Sequence, residues 1–207
     1  MPAINITVKN IKMKIKILSL ITMLIVLGSA PKTFANNNAT LLKETAAISK
    51  IEVRGNVELY VSDAPSDQIK VYNKYYSESA LVQSKNGVLR IASYTNEKLI
   101  VWVSSSDLRS ISAYDNSVVK SFGHLSKIEF NVDLHNQAQA NLNLDTYAAT
   151  LSVKDNAKIS MSGSTQDLSL KYDNQSNVKR NAFIVANLYE ARPVVTAAVE
   201  NTNTLGM

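Results

Sequence analysis

Cysteine does not occur anywhere in the 207 residues. No disulfide therefore ties the chain, no thiolate site can hold a metal, and no lipid-modified cysteine can follow a leader. Histidine is nearly absent too. His124 and His135 are the only two, and no third ligand stands at a zinc-binding spacing from them. The sequence also lacks a Gly-rich phosphate loop, a nucleophile elbow and a Ser-His-Asp context. Beyond residue 35 no window carries a long 3.6-residue apolar stripe, and only Asn38 to Ser49 has weak helical character.

A basic excess is missing as well, once its location is considered. The formal charge is +5, but residues 1–35 hold Lys9, Lys12, Lys14, Lys16 and Lys32 and no acid. Removing those five from the 22 Lys and Arg leaves 17, which the 17 Asp and Glu balance. From Asn36 onward the chain has no overall field to draw in phosphate, so nucleic acid is not an expected partner. The first 35 residues have instead the layout of a secretory signal. A charged stretch, Lys12 to Lys16, precedes the apolar run Ile17 to Leu27, and Thr33-Phe34-Ala35 forms a small-x-small cleavage pattern. The apolar run is about half of the ~20 residues that a membrane span needs. Met13 would start a more compact signal than Met1. The expected organisation is a signal peptide over 1–35, a linker over 36–47, one domain over 48–192 and an edge strand or tail over 193–207. The expected location is the periplasm, the outer-membrane surface or the medium, with no span left after cleavage.

What is present is alternation. Ile51 and Val53, then Val57, Leu59 and Val61, then Ile69 and Val71, and Leu89 and Ile91 mark short strands. Leu99 to Val103 reads as buried on both faces. Gly55-Asn56, Asp63-Ala64-Pro65 and Lys85-Asn86-Gly87 supply turns. After Ser106 a repeat begins. Asp115-Asn116, His135-Asn136, Asp155-Asn156 and Asp173-Asn174 recur at intervals of 20, 20 and 18 residues, each between two short strands. A unit of that size cannot bury its own apolar edge and must lie on a copy of itself. Ala113, Ala138, Ala140, Ala149 and Ala157 suit a narrow interior. Asn116, Asn136, Asn156 and Asn174 are the expected corner ladder, since Asn tolerates left-handed backbone and stacks its amides. Parity differs between units: Phe130, Val132 and Leu134 lie at even offsets from Asn136, but Leu151 and Val153 at odd offsets from Asn156. A shifted corner or a bulge is expected there. The fold class is all-β, a right-handed parallel β-helix (a single-stranded solenoid) with a less regular, partly antiparallel N-terminal part. An antiparallel meander is the alternative.

Two stretches carry a family resemblance. Ile51-Glu52-Val53-Arg54-Gly55-Asn56-Val57-Glu58-Leu59-Tyr60-Val61 with the later Gly87-Val88-Leu89-Arg90-Ile91 is one; the coils introduced by Ser106-Asp107-Leu108-Arg109-Ser110-Ile111 are the other. Together they resemble the "Putative auto-transporter adhesin, head GIN domain" family, although the family's Ser-Gly-Ala-Ser corner is replaced here by Asp-Asn or His-Asn. The resemblance implies a right-handed parallel β-helix in the cell envelope and brings no catalytic or ligand residues with it.

The remaining features set the functional expectation. Asx oxygens are ligands that Ca²⁺ prefers, but one acid per unit is sparse for such a site, so the pairs read as structural corners and no metal or cofactor is expected. Tyr72, Tyr75, Tyr76, Tyr94 and Trp102 crowd the first half; they either plug one end of the stack or bind, as tyrosines do on sugars and at interfaces. The expectation is an exported, non-enzymatic envelope protein binding glycan or a surface protein. The alternatives are a carbohydrate-active β-helix enzyme using Asp115, Asp155 and Asp173, and a self-associating scaffold, with a homo-oligomer among the expected states.

Overall fold

The computed structural model describes residues 39–42, 47–72 and 80–191. The leader expected over 1–35 and the tail from 193 lie outside them, as do Tyr75 and Tyr76. The described part is all-β. The strands are β1 (Ala39–Leu42), β2 (Lys50–Gly55), β3 (Val57–Asp63), β4 (Gln68–Tyr72), β5 (Ala80–Lys85), β6 (Val88–Ser93) and β7 (Leu99–Ser105). They continue as β8 (Ser110–Ala113), β9 (Val118–Ser121), β10 (Leu125–Leu134), β11 (Gln139–Val153), β12 (Lys158–Tyr172) and β13 (Val178–Ala191). All thirteen join in one open, curled sheet of mixed parallel and antiparallel strands. Of the stretch 38–49, whose sequence has weak helical character, the described residues are not helical: Ala39–Leu42 is strand and pairs antiparallel with β4.

From β8 onward the parallel pairing follows chain order. β8 pairs β10, β10 pairs β11, β11 pairs β12 and β12 pairs β13. The inward rows are continuous through the layers. Val53 faces Ala113, then Leu134, Val153 and Tyr172, and all are buried. Phe130 lies over Ala149 and Ala149 over Leu168; a large ring above a small methyl lets neighbouring layers interdigitate at interior density. Among the buried polar residues, Thr146 and Thr165 lie one above the other with their hydroxyls 2.9 Å apart.

The first part departs from chain order. β2 lies between β6 and β8, and β3 between β7 and β9. The layer made by β6 and β7 therefore stacks on the far side of the earlier β2–β3 layer, and the chain then crosses back to begin β8. Asp67 clamps this crossing by accepting from the backbone N–H groups of Ile48 and Ser106. Antiparallel β4 and β5 pair the edges of β7 and β6 that this arrangement leaves open. Leu99 to Val103 is buried on one face: Leu99, Val101 and Val103 point inward, whereas Ile100 and Trp102 are only half-buried. The dense apolar run had pointed to two buried faces. The outer face is instead shared with another aromatic.

Candidate functional site

The outward positions of β3 and β7 meet in register, Glu58 with Ile100, Tyr60 with Trp102 and Ser62 with Ser104. Tyr60 and Trp102 stack face to face, ring centroids 4.6 Å apart and planes at 16°. Phe122, just past β9, tilts against Trp102 at 5.2 Å; its N–H donates to the Val61 carbonyl. Such aromatic neighbours strengthen strand pairing and leave apolar ring surface at the solvent boundary. Glu58 fixes the shelf from one side. Its carboxylate accepts from the Tyr60 hydroxyl at 2.7 Å and from Lys120 Nζ at 2.6 Å, with Lys98 Nζ at 3.5 Å. The Lys120 hydrogen bond, then that of Tyr60, hold Glu58 below the ordinary glutamate value of 4.5 despite partial burial. Glu58 in turn raises both Lys120 and Tyr60.

Lys120 links the shelf to a polar strip. In register, Tyr60 is followed outward by Lys120, Asn141, Ser160 and Lys179. A parallel row runs Glu58, Val118, Gln139 and Lys158. Two shallow hollows, of about 290 and 410 Å³, lie along these rows, and none of their lining residues is acidic. The strip was not foreseen in the sequence. Tyr60 and Trp102 each occupy an outward slot of an alternating strand, but nothing in the chain says that β3 and β7 are neighbours.

The other sequence-predicted residues go elsewhere. Tyr72 faces Ile100 from β4. Tyr94 is exposed, and its hydroxyl donates to Asp115 at 3.0 Å, which raises its pKa. At the corners, Asn156 N–H donates to the Asn136 carbonyl at 2.9 Å, so these two lie one layer apart. The residues in left-handed backbone are Asp115, Asn136 and Asp155, and they form one column; Asn116 and Asn156 follow one position later, level with Gln137. Asn174 continues the column after β12. Three rungs run from a backbone N–H to a side-chain oxygen rather than from amide to amide. Backbone N–H of Asp115 donates to Asn136 Oδ1 at 3.3 Å, that of Asn136 to Asp155 Oδ2 at 2.9 Å, and that of Asp155 to Asp173 Oδ2 at 2.8 Å.

Beside this column Arg54 sits 3.8 Å over the Tyr114 ring, which stacks on His135 at 4.7 Å. His135 contacts Asp133 at 2.7 Å and Lys154 lies 3.5 Å from the same carboxylate. Burial pushes Asp133 up, but the hydrogen bonds from His135 and Ser152 and the nearby charges outweigh it, leaving the group below its usual value. Among the described residues no group of three or more His, Asp or Glu is placed to hold a metal ion.

The stacked parallel layers and this opening segment have counterparts. Residues 47–189 match the family described as "Putative auto-transporter adhesin, head GIN domain". The chain belongs to this family. No curated protein matches it in sequence. Among solved structures, a putative adhesin from Bacteroides fragilis is 12% identical at a TM-score of 0.66, covering 74% of this chain and 75% of its own. A putative adhesin from Parabacteroides distasonis is 16% identical at 0.55, with 76% and 79% covered. One from Parabacteroides merdae is 14% identical at 0.52, with 76% and 78% covered. At these identities the likeness is one of fold. The family and these three structures are described as putative adhesins, and among the described residues no helix is long and apolar enough to cross a membrane.

Proposed function

We propose that this chain is an exported, non-enzymatic cell-envelope protein, in which a right-handed parallel β-helix presents a rigid outer face for adhesion to a glycan or a surface protein. The observation that carries this reading is the outer face of β3, β7, β9, β11, β12 and β13. It combines ring surface with unshared donors on a scaffold whose interior is one cluster of buried apolar side chains. Rigid elements hold a binding surface with little ordering cost. Family membership and the adhesin descriptions of its structural relatives support adhesion; the layout of residues 1–35 supports export. The alternative of a carbohydrate-active enzyme finds less support, because Asp155 and Asp173 are each engaged by a backbone N–H of the corner column. The purified protein, applied to an array of glycans and matrix proteins, is expected to bind at least one of them and to turn over no polysaccharide. A blank array, or release of reducing ends, overturns the reading.

A self-associating scaffold has one observation in its favour: among the described residues β13 pairs only with β12, and Ile184 and Tyr189 on it are exposed. Light scattering decides, since a monomer at all concentrations removes that reading.

A further inference from the structure

Resting on the adhesion reading above, we infer that the outer strip from Trp102 to Lys179 is the binding site, and that its ligand is an anionic polysaccharide lying across the strands. The register aligns the strip perpendicular to the strands, through β7, β3, β9, β11, β12 and β13. Five strand-to-strand steps at ~4.8 Å make a track of roughly 24 Å, the reach of a short oligosaccharide rather than of a single small molecule.

Its chemistry changes along that track. At one end Tyr60, Trp102 and Phe122 present ring surface, on which the apolar face of a pyranose packs. Gln139, Asn141, Asn156 and Asn177 follow along the hollows. Each amide offers both a donor and an acceptor, which is what vicinal hydroxyls require. Among the described residues these amide side chains make no hydrogen bond to other protein groups, so they are free to bond a ligand.

Charge selects the class of glycan. On the other outward face most cations are matched, Lys50 and Arg90 with Glu52, Arg109 with Asp107, and Lys154 with Asp133, and Lys171 stands apart from a carboxylate among the described residues. Lys158 and Lys179 line the strip and, among the described residues, meet no carboxylate within salt-bridge distance; both are exposed. Two unneutralised ammonium groups among amides, beside hollows that no acid lines and with Glu58 at the far end already held by Lys120, complement a chain carrying carboxylates or sulfates. A protein partner fits less well. Protein interfaces deplete lysine and concentrate affinity in a central apolar cluster, whereas here the rings stand at one end and the centre is polar. Nucleic acid also fits less well, since the strip holds no arginine and the chain from Asn36 onward has no net positive charge.

The test uses the purified protein and five probes: polygalacturonate, chondroitin sulfate, neutral dextran, duplex DNA and the array of matrix proteins. Binding to at least one of the two anionic glycans is expected, weakened by salt, with dextran and DNA at least about tenfold weaker. The double variant K158Q/K179Q, made at exposed positions so that its melting temperature stays unchanged, should lose roughly tenfold in affinity. Trp102→Ala should lose a comparable factor. Equal affinity for DNA, or a double variant that binds as tightly as the parent, overturns the inference. So does a protein that binds matrix proteins but neither anionic glycan, while leaving the adhesion reading intact. Silence toward every glycan and protein removes both.

Discussion

Glu58 shows how one outward residue organises a surface. It holds Lys120, Lys98 and the Tyr60 hydroxyl together, and these charged-state bonds depress its pKa. A carboxyl whose folded pKa lies below its unfolded value contributes stability above the unfolded value and loses that contribution as pH falls through the folded one. Stability measured by urea titration should therefore decline below about pH 4.5 in the parent, and less steeply in Glu58→Gln. Glu52 and Asp107 are depressed by Lys50 and Arg109 and contribute with the same sign, so the informative quantity is the difference between the two proteins. Identical slopes would show that the Glu58 cluster adds nothing to folding. At this scale the sequence was only partly legible. Trp102 could be picked out as one of five candidate aromatics, but within a run that reads as buried on both faces, and its partner Tyr60 lies 42 residues upstream in register. Side-chain type reveals neither that partner nor the Glu58 bond that positions it.

At the scale of the element, corners decide the layers. Gly55, between β2 and β3, has a φ of 77°, and a Cβ placed on it would come 2.1 Å from the Ser93 carbonyl oxygen. Backbone cannot yield there, so Gly55→Ala should lower stability by roughly 3 kcal/mol, read as a shift in urea midpoint. A loss below ~1 kcal/mol would mean that the layers separate easily. The later corners use Asp or Asn instead. Asp155 combines left-handed backbone with an oxygen that accepts the Asn136 N–H. Asp155→Ala should cost about 1–2 kcal/mol, while Asp155→Asn, which keeps both properties, should cost much less. Equal losses in the two variants would refute the hydrogen-bonding role. These corners were largely readable as a period in the sequence. The parity conflict also had its resolution there, because Leu134 lies two before Asn136 and Val153 two before Asp155. Aligning Asn136 with Asp155, rather than with Asn156, puts every inward residue on one face. What hid this was the extra chain at Ser121 to His124. Lys120 pairs with Asn141 but Leu125 with Leu144, so the first unit is two residues longer than the next and the simple interval misleads.

For the whole molecule, the order of layers separates what a repeat can reveal from what it cannot. Sequential stacking from β8 to β13 follows from local period, since each unit buries its edge on the next. The placement of β2 and β3 between β6–β7 and β8–β9 does not, because it depends on which of two open faces the returning chain covers. The two ends consequently differ. At the first, antiparallel β4 and β5 pair the outer layer. At the other, among the described residues β13 is paired on one side only, and its inward positions include the ion pair of Arg180 with Glu190 at 3.0 Å. An inward charged pair in a terminal layer discourages a further apolar layer from docking, yet it gives β13 less apolar burial than the strands it covers. In a stack of nearest-neighbour contacts, opening begins where a layer has one neighbour. Amide exchange should accordingly be slowest through β11 and the first half of β12, and fastest, among strands β6 to β13, in β13. Uniform protection across β10 to β13 would show instead that the layers open as a single unit, and that the last one is covered by something other than β12.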